Sequence, residues 1–76
     1  MARRGKVLRT GRITLEQGDK IYTAGYDVLK GGIVRLQTGN RGHLGGFTEE
    51  QLARQLLREA IGSGAADQKG LGRPKV

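Results

Sequence analysis

Cysteine and tryptophan are absent from this sequence, and proline occurs only once. The absence of cysteine excludes disulfide bonds, thiolate metal sites and thiol nucleophiles. No apolar run is longer than two residues, so no segment is suited to span a membrane. The N-terminus also lacks the apolar stretch of a signal peptide. We therefore expect a cytoplasmic protein that is held together by non-covalent contacts alone.

Large side chains for a hydrophobic core are scarce as well. The 76 residues include one Phe and two Tyr, and 36% of them are hydrophobic. A domain of this size buries only roughly 60% of the surface of its unfolded chain, which leaves a small margin of stability. The 14 glycines add conformational entropy that folding must overcome. A homodimer is therefore one expected source of further buried surface.

Positive charge is concentrated at the two ends of the chain. The formal net charge is +7, and residues 13–61 contribute none of it because they hold six bases and six acids. Residues 1–12 hold five bases and no acid, whereas residues 62–76 hold three bases and one acid. Basic ends of this kind typically contact phosphate groups. The candidate nucleic-acid-binding residues are Arg3, Arg4, Lys6, Arg9 and Arg12 at the first end and Lys69, Arg73 and Lys75 at the second.

One helix is predicted over residues 49–61. Thr48 is a suitable N-cap, and Gln51 stands where it can complete a capping box. Phe47 precedes the cap and can close a hydrophobic staple with Leu52. Gly62 is the expected stop. The apolar stripe of this helix consists of Leu52, Leu56, Leu57, Ala60 and Ile61.

Before this helix, the hydrophobic pattern indicates strands at about 6–15, 20–24 and 33–38. The connections between them are short and contain glycine, which suits antiparallel hairpins. We therefore expect an α+β fold, with a small antiparallel sheet of three or four strands packed by one C-terminal helix. A tightly curled sheet of this size would resemble a small SH3-like barrel.

The chain is expected to form one folded unit between two flexible segments. Residues 6–61 make a single small α+β domain, and residues 1–5 make a flexible basic N-terminal arm. Residues 62–76 contain four glycines, one proline and few large apolar groups, which is typical of a disordered basic tail. The glycine-rich loop 39–46 is a third flexible element.

The sequence contains no pattern that is typical of catalysis or metal binding. Loop 39–46 leads into a helix N-terminus, which is a geometry that can hold phosphate. It lacks the Lys-Ser/Thr ending of a P-loop, and Glu49 and Glu50 would repel an anion, so a plain connector explains it better. His43 has no thiol or second imidazole near it for a metal, and no nucleophile to activate. We expect no enzymatic activity, no cofactor and no metal.

The polar face of the predicted helix is a candidate recognition surface. It consists of Gln51, Arg54, Gln55 and Arg58, and these residue types can read adenine and guanine in the major groove. A second helix, as in a helix-turn-helix, is not predicted. A solvated face, supported by the Glu50–Arg54 spacing of one turn, explains the same pattern.

A short motif stands near the C-terminus. Gly72-Arg73-Pro74, with Lys75 following, resembles the centre of an AT-hook, which is an extended element that lies in the A/T minor groove. The AT-hook pattern has a second arginine before this core, where this chain has Leu71. The resemblance implies that Arg73 enters the groove and that Lys75 meets phosphate. A solubilising basic tail is the alternative.

Together these patterns favour a small basic nucleic-acid-binding protein with a regulatory or architectural role. Double-stranded DNA is slightly favoured over RNA, because few aromatic side chains are present to stack on unpaired bases. The alternative is a protein-interaction module, of the kind found in phages and mobile elements. Such a module would dock on an acidic surface of a host complex for transcription or defence.

Overall fold

The computed structural model describes residues 7–75 and places them in a sheet and two helices. Four strands precede the first helix, and a fifth follows the second. The elements are β1 (Val7–Gln17), β2 (Lys20–Leu29), β3 (Ile33–Leu36), β4 (Arg41–His43), α1 (Glu49–Ser63), α2 (Ala65–Gln68) and β5 (Gly72–Pro74).

The strands form one antiparallel sheet in the order β1-β2-β3-β4. Strand β2 is central because β1 pairs along one side of it over nearly its whole length. On the other side, the second half of β2 pairs with β3, and the first half pairs with β5. The expected α+β fold is confirmed. The SH3-like barrel is not, because β1 and β4 remain the two edges of an open sheet in the described residues.

Helix α1 covers one face of this sheet. The register places Ile13 of β1, Ala24 and Val28 of β2, and Val34 of β3 on that face. All of them are buried, as is the apolar stripe of α1 apart from half-buried Ile61. The buried cluster comprises Ile13, Tyr22, Ala24, Val28, Val34, Leu36, Leu52, Ala53, Leu56, Leu57, Ala60 and Ala66.

The start of α1 is as predicted, but its end is not. The Thr48 hydroxyl accepts from the Gln51 amide at 3.1 Å, and the Gln51 side chain accepts from the Thr48 amide at 3.0 Å. The helix continues through Gly62 and ends at Gly64, which has a φ of 87°. Both glycines suit a helix stop, but only Gly64 adopts the left-handed conformation that ends it. Phe47 remains 49% exposed, so it is not buried in the expected staple.

The segment after α1 is ordered, which corrects the prediction of a disordered tail. Ala66 of α2 is fully buried, and Leu71 packs against the same core. Strand β5 then pairs with β2, and the Lys75 amide donates to the Asp19 carbonyl at 2.9 Å. Apolar contacts with the core and one short strand pairing therefore help to order this glycine-rich segment.

Loop 39–46 also contains structure that the sequence pattern did not indicate. Its residues 41–43 form β4, which pairs with β3. A side chain at Gly42 would come within 3.3 Å of the Leu52 side chain, so the absence of one lets β4 approach α1. This edge strand is too short and too poor in apolar residues to show an alternating pattern.

Replacing Leu71 with alanine should destabilise the fold by about 1–2 kcal/mol, because a half-buried leucine contributes part of its full transfer energy. Chemical denaturation would measure the loss. Lys75→Ala is the control, since the exposed ion pair of Lys75 with Glu16 contributes little. Equal stability of Leu71→Ala and the wild type would show that the C-terminal segment does not pack on the core.

Candidate nucleic-acid interface

The face of the sheet opposite α1 has no element packed over it in the described residues. We call it the open face. It is rich in hydroxyl and charged side chains, because residues on it alternate with the buried ones along each strand. By register it comprises Thr10, Arg12, Thr14, Glu16, Ile21, Thr23, Gly25, Asp27, Leu29, Ile33, Arg35, Arg41, His43 and Arg73.

Ion pairs neutralise most of the acids in residues 7–75. Five of the seven acidic residues are paired, and three of those pairs lie on the helix side of the sheet. The pairs are Arg9–Glu49, Lys20–Asp67, Arg35–Asp27, Arg54–Glu50 and Lys75–Glu16. Three of the arginines on the open face, Arg12, Arg41 and Arg73, have no carboxylate partner in this part of the chain.

Two adjoining clefts cross the open face. The first has a volume of about 500 Å³ and lies between β1 and β3, beside the Asp27–Arg35 ion pair. The second has a volume of about 330 Å³ and extends to Arg73 of β5. Arg12, Gly25 and Gln37 line both clefts. The clefts therefore connect two of the unpaired arginines across the centre of the sheet.

Gln37 fixes the point at which the clefts meet. Its backbone amide donates to the Gly25 carbonyl at 2.9 Å, and its side-chain oxygen accepts from the Gly25 amide at 3.0 Å. The side-chain amide of Gln37 keeps its own N–H donors for another acceptor. The side-chain amide of Gln37 and the guanidinium group of Arg12 thus border Gly25 from opposite sides.

The structure separates the residues that were predicted to bind nucleic acid. Arg12 and Arg73 lie on the open face and share a cleft. Arg9 lies on the helix side, where its guanidinium binds the Glu49 carboxylate, with Nε donating to Oε1 at 3.0 Å. This hydrogen bond raises the pKa of Arg9 and lowers the pKa of Glu49. Arg9 thereby joins β1 to the start of α1.

The remaining predicted residues have separate positions. Lys75 pairs with Glu16 at 3.4 Å, and Lys69 is exposed after α2. The segment that resembles an AT-hook forms β5, so its backbone pairs with β2 and only the Arg73 side chain is free to reach outward. Arg3, Arg4 and Lys6 lie outside the described residues.

The polar face of α1 is partly occupied by contacts within the protein. Gln51 completes the capping box, and Arg54 binds Glu50 at 2.8 Å and reaches the Thr14 carbonyl at 3.5 Å. Gln55 and Arg58 are exposed and make no such contact in the described part of the chain. Half of the candidate recognition face therefore has a structural role.

Sequence reasoning missed Arg41, Arg35, Gln37 and Gly25 as members of this surface. The first three stand in or beside short strands of the charge-neutral middle of the chain, where net charge carried no signal. The alternation of Val34 and Leu36 with Arg35 was the one available indication that Arg35 faces away from the core.

On the helix side of the sheet, one cluster of polar contacts joins Tyr22, Asp67 and Lys20. The Tyr22 hydroxyl donates to Asp67 at 2.9 Å, and this hydrogen bond, together with burial, raises the pKa of Tyr22. Lys20 lies 3.5 Å from the same carboxylate. These contacts attach α2 to the first half of β2.

Residues 7–75 contain no group of three histidine, cysteine or acidic side chains placed to hold a metal ion. His43 is exposed on β4. Neither described helix is long and apolar enough to cross a membrane.

Comparison of the chain with protein-family models, with curated proteins and with solved structures finds no match.

Glu49→Gln should destabilise the protein at neutral pH and much less in acid. The folded state lowers the pKa of Glu49, so its contribution is complete above the ordinary glutamate pKa of about 4.3. That contribution disappears as the pH falls through the lowered pKa. Urea denaturation at several pH values would measure the difference from the wild type.

Glu59→Gln is the control for this pH series, because Glu59 is exposed and unpaired in the described residues. We expect its stability to follow that of the wild type at every pH. A loss in Glu49→Gln that is the same in acid and at neutral pH would contradict a role for the Arg9–Glu49 pair.

Proposed function

We propose that this protein binds nucleic acid, with double-stranded DNA favoured over RNA, by contacting the phosphate backbone with the open face. One observation supports this most strongly: Arg12, Arg41 and Arg73 come from three separate strands to the same face, and none has a carboxylate partner in residues 7–75. Unpaired guanidinium groups release counterions from DNA, and paired ones contribute much less.

The distribution of charge between the two sides of the sheet supports the same proposal. With Lys75, whose side chain pairs with Glu16, the open face carries five bases and two acids, a net charge of +3. The sequence adds three more bases immediately before β1. An excess of one sign on one surface steers an oppositely charged polymer toward it.

Backbone contact without base readout is the mode that we propose. The hydroxyl groups of Thr14 and Thr23 lie 3.3 Å apart and suit phosphate contacts, which position a protein on DNA but carry no sequence information. The corresponding role is architectural or regulatory, with no catalytic step, cofactor or metal. A cytoplasmic location and formation of a homodimer stay predictions.

The combined variant Arg12→Ala/Arg41→Ala/Arg73→Ala should bind a generic DNA duplex at least ten-fold more weakly than the wild type. The slope of log affinity against log salt should also become shallower by about 2–3, because up to three phosphate contacts are lost. Fluorescence anisotropy over a salt series would measure both quantities.

A matched control is Lys30→Ala/Arg58→Ala/Lys69→Ala, which removes three cations that do not belong to the open face. The net charge of the two triple variants is the same, so any difference between them reports position and not total charge. Equal losses in both variants would contradict binding by the open face. A third variant, with Arg3, Arg4 and Lys6 replaced by alanine, would measure the contribution of the N-terminal arm.

A protein partner is the second candidate function, and one observation favours it. Phe47 is 49% exposed beside Leu44, at a cleft of about 560 Å³ next to the start of α1. Phe47→Ala should then abolish capture of a partner from nuclease-treated lysate while leaving duplex affinity unchanged. Capture that survives Phe47→Ala would exclude this surface.

A further inference from the structure

Gly25 is the one strand glycine in residues 7–75 whose presence the fold itself does not require. A side chain at Gly11 would lie 2.4 Å from the Tyr26 ring, and one at Gly72 would lie 2.7 Å from the Tyr22 ring. Gly42 stands close to Leu52, as described above. At Gly25 the nearest atoms to an added Cβ, the Gly11 carbonyl and the Gln37 side-chain oxygen, are 3.7 and 3.8 Å away.

Backbone conformation does not explain this glycine either. Gly25 is absent from the positive-φ residues and lies in the interior of the central strand, where glycine weakens a sheet. Glycine within a strand commonly marks a bulge, a barrel corner or a place where a ligand or another backbone segment approaches closely, and the nearest backbone atom at Gly25 is at an ordinary contact distance. The irregular pairing of β1 with β2 lies between Val7 and Arg9, away from Gly25, and the sheet is not a barrel.

The surroundings of Gly25 suit an anion. The strand next to β2 changes here from β3 to β5, so the second cleft opens at this point. Arg12 lines one side of that cleft and Arg73 another, and no acidic residue lines it. The Gln37 side chain also lines this cleft, and because its oxygen accepts from the Gly25 amide, its N–H groups remain available as donors.

We propose that a phosphate group of the bound nucleic-acid backbone sits over Gly25, in the cleft between β3 and β5. Arg12 and Arg73 hold it by charge-assisted hydrogen bonds, and the Gln37 side chain donates a further one. This site rests on the proposed function, and it defines where on the open face the backbone makes its closest approach. Because Gly25 has no side chain, the phosphate can reach the backbone of β2.

The test places a side chain on the floor of the cleft. Gly25→Val and Gly25→Ala should retain the fold, with melting temperatures equal to or above that of the wild type. Their duplex affinity should fall, by ten-fold or more for valine and by less for alanine. Loss of affinity without loss of stability is an outcome that a merely structural glycine would not give.

Gly62→Val is the steric control, because it adds the same side chain at an exposed glycine of α1 that has open space around it and lies outside the open face. Its duplex affinity should remain within about two-fold of the wild type. A folded Gly25→Val protein that binds duplex as tightly as the wild type would overturn the phosphate site. The proposed function would still hold if the Arg12/Arg41/Arg73 variant had lost binding in the same assay.

Inorganic phosphate provides a second measurement that needs no variant. At constant ionic strength, phosphate should produce saturable shifts in the ¹H–¹⁵N resonances of the Gly25 amide and the Gln37 side chain. The same titration with chloride should not. Phosphate shifts spread evenly over all exposed amides would overturn the site, and failure of the wild type to bind any duplex would overturn the proposed function with it.

Discussion

The supply of apolar side chains is sufficient to cover only one face of the sheet, and the rest of the structure follows from this limit. Helix α1 supplies the large buried side chains Leu52, Leu56 and Leu57. Its apolar stripe packs against a single row of positions on each strand. A second layer would need another apolar helix, which the sequence does not contain. In the described residues the opposite face consequently stays open, and the residues that alternate with the core are mostly threonine and charged side chains.

Pairing of charges then gives the two sides of the sheet different properties. On the helix side, the Arg9–Glu49 pair joins β1 to the start of α1, and the Arg54–Glu50 pair lies within α1. On the open face, two acidic residues lie among four arginines. Because Arg12 and Arg73 project from paired strands, a ligand that binds them would not have to order a flexible arm first, which lowers the entropic cost of binding.

Local signals determined the parts of the fold that sequence analysis predicted well. The start of α1 depends on Thr48 and Gln51, which act within four residues of each other. The hairpins depend on short turns with glycine, such as Gly18 and Gly31 at positive φ. The end of α1 was predicted at Gly62 and lies at Gly64, because only the second glycine adopts the left-handed conformation that ends the helix.

The sequence by itself determined the helix and its N-terminal cap, the antiparallel class of the sheet, the excess of positive charge and the shortage of core residues. It could not determine which cations meet, because that depends on strand register between residues far apart in the chain. Arg12 and Arg73 lie 61 positions apart in the sequence, yet β2 brings them to one cleft. Only the tertiary structure decided this, since the pairing of β5 with β2 converts a segment with the composition of a mobile tail into part of the sheet.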